Sequence, residues 1–357
     1  FLQRIEEIPW TEDMIMIGLD VTSLYTSIRH ADGIKACRHF LRARSLSLYF
    51  HTEMLVDMIL YCLENNFFTF DGHFYKQLQG VAMGTCFAPN LANLLMGWWE
   101  ESIVSPTMAF NSQVLLWLRY IDDLFILWQG NENSAIAFIE TLNNNQLNLK
   151  FTYTLSRHEI IFLDTKVYIE QGKITTSLHR KTTAGNTLLH ASSRHPYNLI
   201  NSIPYGEFIR ARRNCSTEQN FEAESILMTQ RFKDRGYSEH NIHAALTKAK
   251  SRERKTLLYS TDTSKNNEII RFITTFNDQS RGVRQVLAKH WKLLLGEKSL
   301  ANAIGPIPNV TYRRGKNLKD RMCANTTIQS SSSFGTLKGF FPCGKCKACK
   351  NCAKVVE

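Results

Sequence analysis

The chain has 357 residues, 43% hydrophobic and 11% aromatic, which excludes disorder throughout and exceeds the usual size of one compact domain, so at least two packed units are expected. The net charge of +11 conceals two unlike halves: residues 1–150 hold 9 Lys/Arg against 16 Asp/Glu, leaving 34 against 16 for residues 151–357, balances of −7 and +18. The basic half points to a polyanionic partner, most simply nucleic acid, because each phosphate neutralised by Lys or Arg releases counterions; solvated basic helix faces are the alternative. No uncharged apolar run approaches the roughly 20 residues of a membrane-spanning helix. The opening Phe1-Leu2-Gln3-Arg4 is neither a start methionine nor a signal peptide, and the chain is expected to begin inside something larger.

Met14 to Leu19 is an apolar run ending at Asp20, the pattern of a buried strand, and Asp32–Arg44 and Thr52–Glu64 follow with helical apolar spacing. Phe67 to Lys76 predicts two short aromatic strands around Asp71-Gly72, a pair that accepts positive φ. Ala88–Ser102 predicts a helix, with Pro89 tolerated in its first turn. Val114–Tyr120 and Leu124–Trp128 predict a hairpin with Ile121-Asp122-Asp123 at its tip, followed by a helix at Ser134–Asn144 and strands at Leu149–Leu155, Ile160–Ile169 and Lys173–His179. Beyond Ser192 the spacing becomes helical, near Pro204–Arg213, Glu218–Arg235, Ser238–Leu258 and Gln279–Leu295. Asn325–Gly339, with four serines in a row, predicts a flexible linker.

Three carboxylates at strand ends carry the chemistry. Asp20 closes the first strand, and Asp122 with Asp123 caps the later hairpin. Crowded carboxylates raise one another's pKa unless divalent cations offset the charge, so two magnesium ions are expected there. Such a pair performs phosphoryl transfer, one ion activating an attacking 3′ hydroxyl and the other stabilising the leaving pyrophosphate. A lone Asp-Asp is as readily a solvated turn.

Nine cysteines divide into five scattered residues and four crowded ones, Cys343, Cys346, Cys349 and Cys352. An odd total without a secretory signal argues for a reducing compartment. Thiolates so dense beside Lys345, Lys347, Lys350 and Lys354 suit a soft metal; zinc is the first expectation and an iron-sulfur centre the other. His179, His190 and His195 lack a partner cysteine at ligand spacing and are read as loop or phosphate contacts.

Asp20-Val21-Thr22-Ser23-Leu24-Tyr25, Gln79-Gly80-Val81-Ala82-Met83-Gly84 with Ala88-Pro89, and Tyr120-Ile121-Asp122-Asp123 resemble, in order and spacing, the catalytic motifs of reverse transcriptases. Phe162-Leu163-Asp164, His179-Arg180-Lys181-Thr182-Thr183, Ser193-Arg194-His195-Pro196 and Arg235-Gly236-Tyr237 look like those of Penelope-like retroelements, relatives of telomerase reverse transcriptase.

The resemblance implies an α+β fold: a reverse-transcriptase palm, an antiparallel sheet with helices on one face, at residues 1–190, a basic helical thumb at 191–322, a linker at 323–342 and a cysteine-rich metal-binding tail at 343–357. It implies that Asp20, Asp122, Asp123 and the Val21 carbonyl bind the two magnesium ions, that Tyr25 excludes a 2′ hydroxyl, and that Gln79-Gly80 line the nucleotide pocket. Gly84, Tyr120, Phe162, Leu163 and Asp164 would meet primer or template, and Arg180, Lys181 and Arg194 are phosphate candidates. The partners so implied are an RNA template, a DNA primer and deoxynucleotides, in the nucleus and away from membranes. Only Arg4 among the residues before Asp20 is cationic, so little of the fingers is expected, and fingers and an endonuclease domain are expected elsewhere in the same gene. A catalytically inactive, nucleic-acid-binding derivative of a retroelement is the competing expectation.

Overall fold

The computed structural model describes residues 1–44, 49–71, 73–105, 112–181, 183–259, 271–277, 280–297, 304 and 306–315. The expected linker and the four crowded cysteines lie outside the described residues. The chain mixes helices with antiparallel sheets and divides into two compact units, one of residues 1–192 with 201–260, the other of 193–200 with 261–357. Among the described residues no helix is long and apolar enough to cross a membrane.

The first unit opens with a short helix α1 (Leu2–Glu6) and strand β1 (Met14–Val21). A single turn α2 (Leu24–Ser27), helices α3 (His30–Arg44) and α4 (Tyr49–Glu64), and the hairpin β2 (Phe67–Phe70) and β3 (His73–Lys76) follow. Asp71 turns that hairpin with φ 48°, as its Asp-Gly pair implies. Helix α5 (Ala88–Trp99) carries Pro89 in its first turn and passes into a π-helical turn at Glu100–Val104. Strands β4 (Val114–Tyr120) and β5 (Asp123–Gln129), helix α6 (Glu132–Asn143) and strand β6 (Phe151–Ser156) complete a four-stranded sheet of order β4-β5-β1-β6, with every pairing antiparallel.

Side-chain alternation divides this sheet into two apolar faces. Ile15, Ile17, Leu19 and Val21 of β1, with Leu124, Ile126 and Trp128 of β5, pack against Leu91, Leu95 and Trp99 of α5 and Phe138 of α6. Met16, Phe125 and Leu127 face the other way, against Ile160, Phe162, Val167 and Ile174. Those last residues belong to a second antiparallel sheet, β7 (Glu159–Phe162), β8 (Thr165–Glu170) and β9 (Lys173–Leu178). The run Ile160–Ile169, read from sequence as one strand, is therefore two, broken at Leu163, which takes φ 55°.

Helices α7 (Tyr197–Asn214), α8 (Glu218–Lys233), α9 (Glu239–Lys250) and α10 (Arg254–Leu258) follow. Pro204 does not open the first of them, as expected, but is buried inside it. The expected single helix Ser238–Leu258 is two, separated at Ser251–Glu253. From residue 201 onward these helices belong to the same compact unit as the sheets. Polar links account for this: Thr176 Oγ1 donates to the Asn214 carbonyl at 2.8 Å, Arg254 pairs with Glu6, and Gln3 Nε2 donates to the Leu258 carbonyl.

The second unit holds β10 (Phe272–Thr275) and β11 (Val310–Arg313), a parallel pair not anticipated from sequence, together with α11 (Ser280–Leu295) and the first residues of α7.

Candidate functional site

Asp20, the penultimate residue of β1, lies directly opposite Asp123, the first residue of β5. Asp123 is also opposite Tyr120 of β4. Asp20 falls in step with Met16, and Asp123 with Phe125 and Leu127, so both carboxylates leave the face of the sheet that the second sheet covers. Directly opposed residues of an antiparallel pair bring their Cβ atoms to about 5 Å, so two acidic groups roughly a hundred residues apart in sequence meet here. Asp122 occupies the turn, and its carbonyl accepts the Val21 amide at 3.3 Å. The expected three-residue tip is thus a two-residue turn, because Asp123 already pairs in the strand.

The two opposed carboxyls titrate above the ordinary aspartate range. Partial burial raises Asp20 most and the Asp122 charge adds to it. Burial again leads at Asp123, followed by Asp122 and then Asp20, while Lys181 acts in the opposite sense. Lys181, expected to contact phosphate, therefore lies close enough to Asp123 to feel its charge. Asp20 and Asp123 line a groove of about 460 Å³ that Gly18, Thr152, Ile160 and Leu163 also border.

The turn is held from behind. Ile121 adopts φ 56°, a conformation that a β-branched residue avoids. Arg119 Nη1 donates to the Ile121 carbonyl at 3.2 Å and to Asn93 Oδ1 at 3.1 Å, while Nη2 pairs with Glu100 at 2.9 Å. Trp117 Nε1 donates to the other Glu100 oxygen at 2.8 Å. Sequence reasoning missed Arg119 and Glu100; an arginine inside the otherwise apolar Val114-Leu115-Leu116-Trp117-Leu118 strand was the available signal.

The Gln79-Gly80 segment is docked on the turn that follows β1. Gly80 N donates to the Ile28 carbonyl, Val81 N donates to the Tyr25 carbonyl at 2.7 Å, and Gln79 Nε2 reaches the Ser27 carbonyl at 3.4 Å. Gly80 has φ 82°, and a Cβ there would stand 2.8 Å from Thr26 Cα. Its lack of a side chain is required by the protein's own backbone, where the sequence suggested close approach of a nucleotide. Gly84, at φ 97°, has nothing within 4 Å of a built Cβ. The Tyr25 ring packs partly buried against the helix-side core.

Other expected contact residues divide. Tyr120 and Leu163 are exposed. Phe162 is buried against Phe1 and Phe125, with ring centroids at 4.7 and 5.6 Å, and so belongs to the core. Asp164 pairs with Arg210 at 2.7 Å. Arg180, expected to contact phosphate, pairs instead with the buried Glu224 and approaches Met228. Arg194 lies in the second unit.

Residues 187–247 match the family described as the animal helix-turn-helix domain. They hold α7, α8 and most of α9; between the last two, Gly236 takes φ 74°. Thr217 and Ser238 cap α8 and α9 through their side chains. The chain is 29% identical over 119 residues to telomerase reverse transcriptase of Euplotes aediculatus, a match that covers 32% of this chain and 11% of that protein. This chain thus spans about a tenth of the length of that relative. Among solved structures, telomerase of Candida albicans with a TWJ fragment of telomeric RNA aligns over 69% of this chain and 41% of its own, at 12% identity and a TM-score of 0.48. Apo telomerase of Candida tropicalis aligns over 72% and 45%, at 12% identity and a TM-score of 0.41. The BmCPV RNA-dependent RNA polymerase at its elongation state aligns over 62% and 21%, at 13% identity and a TM-score of 0.36.

Proposed function

We propose that the chain is the catalytic portion of an RNA-directed DNA polymerase of the Penelope-like kind, acting in the nucleus and transferring nucleotides from deoxynucleoside triphosphates to a primer 3′ hydroxyl. The observation that carries this reading is the register pairing of Asp20 with Asp123, beside Asp122 in the adjoining turn. The partial likeness to telomerase reverse transcriptase supports a nucleic-acid polymerase in general.

Hard oxygen donors whose charged form is disfavoured at Asp20 and Asp123, first by burial and then by the neighbouring Asp122 charge, fit hard divalent cations, which offset that cost. Asp20, Asp122, Asp123 and the Val21 carbonyl would hold them. Magnesium, when bound, supplies the Lewis acidity that lowers the charge on the attacking and departing oxygens. The residues of the chain then position the reactants. Tyr25 and Gln79 border the nucleotide, Gly84 and Tyr120 leave room for template and primer, and Leu163 projects from the turn beside the groove. In this reading the sheets form a palm, the basic helices form a thumb, and the four C-terminal cysteines hold zinc.

Primer extension on an RNA template, with magnesium and a full-length gene product, tests the proposal. Asp122→Asn is expected to lower incorporation by orders of magnitude; undiminished incorporation would overturn it.

The helix-turn-helix match favours a second reading, in which residues 187–247 bind nucleic acid and the carboxylates have lost their catalytic role. Salt-dependent binding without any magnesium-dependent incorporation would select it.

A further inference from the structure

The second unit contains a groove of about 750 Å³, and all of its lining residues belong to that unit. One wall is a single face of α11, where Ser280, Arg284, Gln285 and Ala288 fall at helical spacing. Phe276, Tyr312 and Tyr197 contribute aromatic surface. Tyr197 is 65% exposed. Phe276 and Tyr312 meet edge to face at 5.8 Å, and Tyr312 Oη donates to the Ser280 carbonyl at 2.9 Å, which ties the β11 ring to the start of α11.

The chemistry of this lining is selective. Among the described residues it combines three aromatic rings, one guanidinium, a histidine and the amides of Asn198, Asn277 and Gln285, with no carboxylate. A metabolite phosphate site would concentrate cations, and a metal site would supply carboxylates or thiolates. Rings interspersed with a cation and amide groups suit unstacked bases on a phosphodiester backbone, since every base offers a π-face and amides can meet its polar edge. The segment from residue 261 to 357 is itself basic, with 17 Lys/Arg against 6 Asp/Glu, so its charge favours a polyanion over a neutral or basic partner.

We infer that this groove binds a single-stranded segment of nucleic acid, by stacking bases on Tyr197 and its neighbouring rings while Arg284 meets the backbone. The inference does not depend on catalysis at Asp20, Asp122 and Asp123, and it holds if the polymerase reading fails. A duplex, whose bases are already stacked on one another, would gain less from these rings.

The test measures fluorescence anisotropy of the full chain with a labelled single-stranded oligouridylate of about a dozen nucleotides, and with a duplex of equal length, at one salt concentration. Tyr197→Leu and Arg284→Gln are expected to weaken single-strand binding about fivefold or more each, with a smaller effect on the duplex. Ala288→Glu places a negative charge in the groove at an exposed helical position and is expected to do the same without loss of helix content by circular dichroism. Unchanged single-strand affinity in all three variants, as expected if the groove accepts a peptide segment, would overturn the inference. So would equal weakening for single strand and duplex.

Discussion

Arg119 joins two irregular pieces of backbone: one side of its guanidinium grips Glu100, at the start of the π-helical turn, and the other donates to the carbonyl of Ile121, the left-handed residue beside Asp122. The extra residue of the π-helical turn coincides with the place where Glu100 meets both Trp117 and Arg119, in keeping with the tendency of such turns to occur at functional sites. Arg119→Met should cost about 2 kcal/mol, because Glu100 would be left partly buried without its cation. Incorporation should fall through kcat with little change in KM, because the substitution disturbs the carboxylate turn and leaves the groove walls in place. An unaltered kcat in a folded variant would show that the turn holds its shape without this support.

The burial of Asp123, with the charges of Asp122 and Asp20 adding to it, should be visible in stability. Asp123 has a folded pKa above its ordinary value, so the native state keeps a proton to higher pH than the unfolded chain does. Stability from this group is therefore lost as pH rises from the ordinary carboxylate range through the raised pKa, and the penalty is complete near neutrality. In chelator at pH 7, Asp123→Asn should melt higher than the unsubstituted chain, by a few degrees, and the advantage should vanish near pH 3. Added magnesium should raise the melting temperature of the unsubstituted chain more than that of the variant. Thermal scans at the two pH values, with and without the ion, check each sign.

Gly80 and Gly84 both take positive φ, yet only the first is enclosed. Gly80→Ala should destabilise by about 2 kcal/mol or more, from left-handed strain combined with a Cβ forced against the Thr26 backbone. Gly84→Ala should cost about 1 kcal/mol, from conformation alone. Urea midpoints at constant m-value distinguish the two.

Arg180 serves as the counter-ion of Glu224, whose burial raises its pKa while the arginine opposes that rise. Arg180→Met should destabilise the chain by about 3 kcal/mol and leave the salt slope of nucleic-acid binding unchanged. Lys181→Ala should reduce that slope by about 1, as expected for one lost phosphate contact. The reverse pattern would return Arg180 to the phosphate contacts.

Much of the first unit was legible because its strands are unbroken apolar runs and its helices keep a regular apolar spacing; β1, β4, β5 and α3 lie close to their expected places. The pairing of Asp20 opposite Asp123 was legible too, since strand-end carboxylates share a sheet edge once the strands pair. What stayed hidden were features that composition does not encode. Leu163 and Ile121 take left-handed conformations with side chains that usually avoid them, so neither break was marked by glycine. Strands β10 and β11 are four residues each and pair in parallel across α11, so neither produced a local hairpin signal. The partners of Arg180 and Asp164 lie more than forty residues away, and charge in a sequence does not say which counter-ion it will find.

The central place of β1 in the sheet has a consequence for biosynthesis. Its two neighbours are β5 and β6, which the ribosome delivers more than a hundred residues later. Until then a strongly apolar strand has both edges open, a condition that slows folding through loop closure and invites pairing with other nascent chains. Production of the folded protein should consequently depend on chaperone supply and growth temperature, and shortened versions ending before residue 156 should accumulate as aggregates.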